Sequence, residues 1–134
     1  MQLLVNIDVP DFEAGRRFYT EALGLTEGRR FGEGGVELLG GSSAIYLLVK
    51  PSGSQATANG AVRDYGRHWT PVHLDLVVDD LDAALVRARA AGAVLERGPV
   101  DAAWGRIAGL ADPFGNGFCL LSFTASGYDA VATP

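Results

Sequence analysis

The sequence predicts an α+β fold made of two βαβββ modules in tandem. Three observations carry this prediction. Two strand–helix junctions match when Asp11 is set against Asp80: Val9 then meets Val78, Glu13 meets Asp82, and Ala14 meets Ala83. Later in each half, Ile45-Tyr46-Leu47-Leu48 matches Phe118-Cys119-Leu120-Leu121. Between Ala111 and Gly117, Asp112-Pro113-Phe114-Gly115-Asn116 reads as a turn feeding a strand. Proline presets φ early in a turn, and Gly and Asn tolerate positive φ. Self-similarity at this period fixes the architecture before any single element is assigned.

Leu3 to Val9 alternates, with Leu3, Val5, Ile7 and Val9 on one face and Leu4, Asn6 and Asp8 on the other. Asp11 then caps a helix with Glu13 in its first turn, where the macrodipole favours an acid. Phe12, Arg16, Tyr19 and Leu23 recur at helical spacing, and Gly24 closes the helix. Strands follow at 25–31, 36–39 and 44–49, separated by glycine turns. Residues 51–65 break the composition, with Pro, Ser, Gly, Gln, Ala, Thr and Asn and little to bury; the segment reads as a tether between modules or as a lid. Residues 71–78 form the next strand, and Asp79-Asp80 start a second helix whose apolar stripe is Leu81, Ala84, Leu85 and Ala88. Gly92 stops it, 93–96 is a short strand, and 100–111 with 118–123 is the closing pair. The modules are thus 1–50 and 70–125, joined by 51–69, with a loose tail at 126–134, all within one structural domain.

A net charge of −5 with no basic stripe argues against nucleic acid as partner, and no apolar run is long enough to cross a membrane. Met1-Gln2-Leu3-Leu4 starts a strand at once, without a signal-peptide layout. A single cysteine excludes an internal disulfide and fits a reducing cytoplasm. Arginine in large excess over lysine suits a GC-rich bacterial gene.

The tandem pattern, the Ala22-Leu23-Gly24-Leu25 helix ending and the Asp112-Pro113-Phe114-Gly115-Asn116 turn together resemble the vicinal oxygen chelate superfamily, which holds glyoxalases, extradiol dioxygenases and bleomycin-resistance proteins. The resemblance covers nearly the whole chain apart from the loop and tail. It implies a curved mixed sheet around a central cavity, helices on the outer face, and a homodimer. One fold hosts many activities, so function has to be argued from the site.

A helix needs an apolar sheet surface beneath it, so Leu3, Val5, Ile7 and Val9 face the first helix and Val72, Leu74, Leu76 and Val78 the second. The other face then carries Leu4, Asn6 and Asp8 in one module, and His73, Asp75 and Val77 in the next. An unpaired Asp75 in a cavity costs several kcal/mol, on the order of 2–7 for a polar group, so it needs His73, Arg106 or a ligand donor. In metal-dependent relatives four positions supply ligands, and the resemblance places them on Leu4, Tyr46, His73 and Cys119. Only His73 belongs to the usual His/Glu set. Leu4 cannot ligate, Tyr46 is a poor ligand, and Cys119 stands where a glutamate is expected. No metal or other cofactor is therefore expected; an ion, if bound, would sit on His73 and Cys119.

His73 and Asp75 could act as base and orienter, or simply form a pocket wall. Cys119 reads as a small apolar wall residue or a nucleophile, with Leu121 beside it. Trp104 and Arg106 are expected on one strand face, with Tyr46 and Trp69 as further wall aromatics, a set suited to an aromatic or anionic ligand. The expected function is metal-free small-molecule binding, such as sequestration of an antibiotic or metabolite. The alternative is a glyoxalase-like lyase, isomerase or dioxygenase using His73 with Asp75, with or without a divalent metal.

Overall fold

Asp11 and Asp80 both turn a strand into a helix by the same device. Each side chain accepts a hydrogen bond from the backbone N–H three residues on, Ala14 at 2.7 Å and Ala83 at 2.9 Å. The computed structural model describes residues 1–134 and divides into two compact units, Met1–Gly66 and Arg67–Pro134.

Unit 1 runs β1 (Val5–Val9), α1 (Phe12–Leu23), β2 (Thr26–Arg30), β3 (Gly35–Leu39) and β4 (Ile45–Val49). Its sheet has the order β1-β4-β3-β2, with β1 parallel to β4 and the other pairs antiparallel. Unit 2 repeats this with β5 (Leu74–Val77), α2 (Leu81–Ala90), β6 (Val94–Ala102), β7 (Gly105–Ala111) and β8 (Gly117–Phe123), in the order β5-β8-β7-β6. The fold is α+β with two four-stranded mixed sheets, as the repeat implies.

Several elements differ from the sequence reading. The buried stripe of α1 is Gly15, Phe18, Tyr19 and Ala22, not Phe12, Arg16, Tyr19 and Leu23. The helix lies so close to the sheet that a Cβ on Gly15 would meet the Val9 methyls at 2.9 Å, and Arg16 instead joins Glu13 and Glu27 on the surface. The short strand expected at 93–96 runs on to Ala102, because β6 pairs with β7 through two register irregularities around Arg97. Pro99 has no N–H to give the ladder and Gly98 adopts φ +81°, so the strand bulges there and then resumes. Residues 100–102 therefore belong to β6, and Trp104 falls in the β6–β7 turn rather than in a strand. His73 lies one residue ahead of β5, not in mid-strand, and Leu4 just ahead of β1.

Each helix seals one face of its own sheet. α2 buries Leu81, Ala84, Leu85 and Ala88 and packs on β8, where Leu120 is also buried. The 51–66 segment folds back on unit 1 as an irregular hairpin bridged at Gln55 and Val62. Arg63 Nε reaches Asp8 Oδ2 at 2.6 Å, and the Tyr65 hydroxyl donates to the Lys50 carbonyl at 2.7 Å. At the end of the chain a short 3-10 helix, Gly127–Ala130, sets Tyr128 against Phe123 and Trp104, with ring centroids 4.8 and 5.2 Å apart.

The 112–116 turn is organised by one buried carboxylate. Asp112 Oδ1 accepts from the Phe114 and Asn116 backbone N–H groups at 2.8 and 2.9 Å, and Oδ2 accepts from Asn116 Nδ2 at 2.9 Å. The Asp112 N–H in turn donates to the Asn116 carbonyl at 2.9 Å. This closed set starts β8 at Gly117 in a fixed register, and that register positions Cys119.

Candidate functional site

Strand pairing decides which side chains share a face. In unit 2, Asp75 pairs with Cys119, Cys119 with Gly109, and Gly109 with Arg97, so these four form one row across β5, β8, β7 and β6. Leu120, Ala108 and Leu110 point the other way, under α2, and are buried. The row opens onto a pocket of about 470 Å³ whose lining includes Arg67, Trp69, His73, Glu96, Arg97 and Cys119.

His73 Nε2 lies 3.1 Å from Asp75 Oδ1, but the two side chains are 55 % and 39 % exposed, so Asp75 is not the buried carboxylate that would demand a partner. Cys119 is buried beside them, and burial together with the Asp75 charge pushes its thiol up from the usual range, with Arg97 opposing. Arg67 holds Glu96 through two contacts of 2.6 and 2.8 Å. Trp69 stands 82 % exposed at the pocket edge, a flat apolar surface in water.

Unit 1 carries the matching row. Asn6 pairs with Tyr46 and Tyr46 with Glu37, and Arg29 of the edge strand reaches over to Glu37. Glu37 is buried, its side chain 8 % exposed, and every contact favours its ionised form. Arg29 grips it with Nε at 3.0 Å and Nη2 at 2.5 Å, the Arg29 N–H donates at 3.2 Å, and the Tyr46 hydroxyl donates at 2.9 Å. Arg29 thereby holds the Glu37 carboxyl at about 2.

The expected site residues therefore separate. His73, Asp75, Cys119 and Trp69 lie around the unit 2 pocket, with Leu121 buried two residues beyond Cys119 on the same face. Asn6 and Tyr46 lie on the corresponding face of unit 1, where Tyr46 is committed to Glu37. Arg106 pairs in register with Ser122, on the helix side, and is held by Asp82 at 3.0 Å and Asp101 at 2.8 Å, so it is not among the partners of Asp75 and lies away from the pocket row. Trp104 packs on Phe123 and Tyr128 instead of sharing a face with Arg106, because the turn at 103–104 takes it out of the ladder. Arg97, Arg29 and Glu37 are missing from the sequence reading. Extending the repeat to the edge strands, with Arg29 set against Arg97, was the available signal, but the Gly98-Pro99 break hid it.

Of the four ligand positions implied by the superfamily, those in unit 1 and unit 2 differ in the donor atoms they bring. Leu4 offers no donor atom and the Tyr46 hydroxyl is occupied by Glu37. His73, Asp75 and Cys119 do bring donor atoms within 4.8 Å of one another in unit 2. His73 Nε2 faces Asp75 within that cluster.

A sequence profile of the glyoxalase-like domain matches residues 4–121. The chain belongs to the glyoxalase-like domain family. It thus falls within the vicinal oxygen chelate superfamily, which the repeat and the turn resemble. No curated protein matches the sequence. Among solved structures, the fold is similar to TnmS3, an antibiotic binding protein from Streptomyces sp. CB03234, at TM-score 0.64 and 26 % identity, covering 92 % of this chain and 96 % of that one. It is also similar to a glyoxalase/bleomycin resistance protein/dioxygenase family enzyme from Burkholderia phytofirmans PsJN, at TM-score 0.68 and 24 % identity, covering 90 % and 97 %. The fosfomycin resistance protein FosX from Listeria monocytogenes aligns at TM-score 0.69 and 16 % identity, covering 94 % and 95 %. The last two are likenesses of fold alone.

Proposed function

We propose that this glyoxalase-like protein binds a small aromatic or anionic molecule in the unit 2 pocket without a metal ion, in the manner of a sequestering protein. The observation that carries this reading is the pocket's composition. It combines a solvent-facing indole, a guanidinium and the His73 imidazole, with Asp75 behind it, around a concavity of about 470 Å³, within the usual range for small-molecule sites. The similarity to an antibiotic binding protein supports it. The test is a calorimetric titration of chelator-treated protein with planar aromatic acids, beginning with 2-naphthoate. Saturable one-to-one binding, weakened by Trp69→Ala, supports the reading; no binding removes it.

The 3.1 Å His73–Asp75 contact favours a second reading, in which the pair acts as general base and orienter in a lyase or isomerase. It predicts turnover that His73→Ala abolishes while ligand affinity remains. A homodimer in a reducing cytoplasm goes with either reading, supported by the family likeness and by a cysteine that has no disulfide partner. Light scattering of the purified chain tests the dimer.

A further inference from the structure

The two units solve the same electrostatic problem differently. On the face away from the helix, unit 1 sets out Asn6, Tyr46, Glu37 and the edge-strand Arg29; unit 2 sets out Asp75, Cys119, Gly109 and the edge-strand Arg97. An arginine ends both rows. In unit 1 the residue beside it is a buried glutamate that takes both arms of the guanidinium. In unit 2 that place belongs to Gly109, which has no side chain to offer. Arg97 consequently has no carboxylate within salt-bridge distance and shares a side-chain hydrogen bond only with the Cys119 sulfur, whereas Arg67, the pocket's other arginine, is paired with Glu96.

Space and exposure favour an external partner. A Cβ added to Gly109 would meet Arg97 Cβ, Nε and Nη2 at 3.6, 3.7 and 3.8 Å, which is ordinary contact, so the Arg97 side chain lies across the glycine without filling it. Arg97 lines the pocket together with Trp69 and His73. Negative charge nearby is already spoken for, Glu96 by Arg67 and Asp75 by His73. A planar guanidinium fork is matched by a carboxylate, bound through two parallel hydrogen bonds.

We infer that the unit 2 pocket selects small molecules bearing a carboxylate, which supplies to Arg97 the counter-charge that Glu37 supplies to Arg29. The inference rests on the small-molecule reading above and names its ligand class, with Arg97 as the specificity residue. The test compares 2-naphthoate with the uncharged 2-naphthamide, by calorimetry on the full chain. Wild type is expected to bind the acid at least tenfold more tightly than the amide. Arg97→Gln should lose roughly ten- to a hundredfold in affinity for the acid and leave the amide unchanged, as expected for one charged hydrogen-bonding partner. Arg106→Gln should bind like wild type. Gly109→Glu, which copies the unit 1 arrangement, should lose acid binding, while Gly109→Gln keeps most of it. Should the Gly109 variants fail to fold, Arg97→Gln against Arg97→Lys decides, with Lys retaining only part of the preference. Equal affinity for acid and amide, or an Arg97→Gln variant that still prefers the acid, overturns the inference and leaves the pocket reading standing. Binding of neither compound overturns both.

Discussion

Replacing Asp112 by alanine should destabilise the protein far more than an average surface substitution. The side chain is 5 % exposed and accepts three hydrogen bonds, two of them from backbone N–H groups. Alanine leaves the Phe114 N–H inside the protein without its acceptor, while the half-buried Asn116 can recover part of its hydrogen bonding from water. A buried donor left unsatisfied costs about 1–3 kcal/mol, and loss of a charged acceptor lies at the upper end, so the sum is about 3 kcal/mol. For 134 residues that corresponds to a fall in Tm of roughly 10 °C. Urea unfolding followed by circular dichroism gives the value directly, and an unchanged m-value would show that the loss is one of stability alone. Asp112→Asn should fall between, since its Oδ1 still accepts while its amide opposes Asn116 Nδ2. A loss below about 1 kcal/mol for Asp112→Ala would refute the idea that this carboxylate sets the start of β8.

Other outcomes follow from the same geometry. Glu37 is held at about 2, below the ordinary carboxylate value of 4.5, so its contribution to stability is complete above pH 4.5 and lost as pH falls towards 2. Acid titration of unfolding should show this slope in wild type and a flatter one in Glu37→Gln. Leu120→Ala, emptying a fully buried position under α2, should cost about 2–5 kcal/mol in the same unfolding assay. Tyr128→Ala should release the end of the chain from Trp104 and Phe123, seen as a change in tryptophan fluorescence, and leave ligand affinity unaltered because these rings lie outside the pocket lining.

Much of the fold is legible in the letters because local chemistry and the repeat agree. Asp11 and Asp80 cap the two helices, and the stripe of Leu81, Ala84, Leu85 and Ala88 is the one α2 buries. Equating Asn6 with Asp75 and Tyr46 with Cys119 reproduces the pairing register of both sheets. What escaped depends on three-dimensional context. The seam of α1 shifted because Gly15, which looks like a weakness in a helix, permits close contact with Val9. Arg106 and Arg97 look alike as exposed strand arginines. The β7–β8 register puts Arg106 on the helix side by Asp82, while the irregularities in β6 set Arg97 opposite Gly109 in the row of Cys119. A buried glutamate such as Glu37 is legible only once its arginine is found in the preceding strand of the same hairpin.

The central claim is that the unit 2 pocket takes up its small molecule without an ion. Titrating chelator-treated protein with 2-naphthoate, with and without added zinc, tests this most directly. One-to-one binding of the same affinity in both is predicted, and binding that appears only with zinc would contradict it.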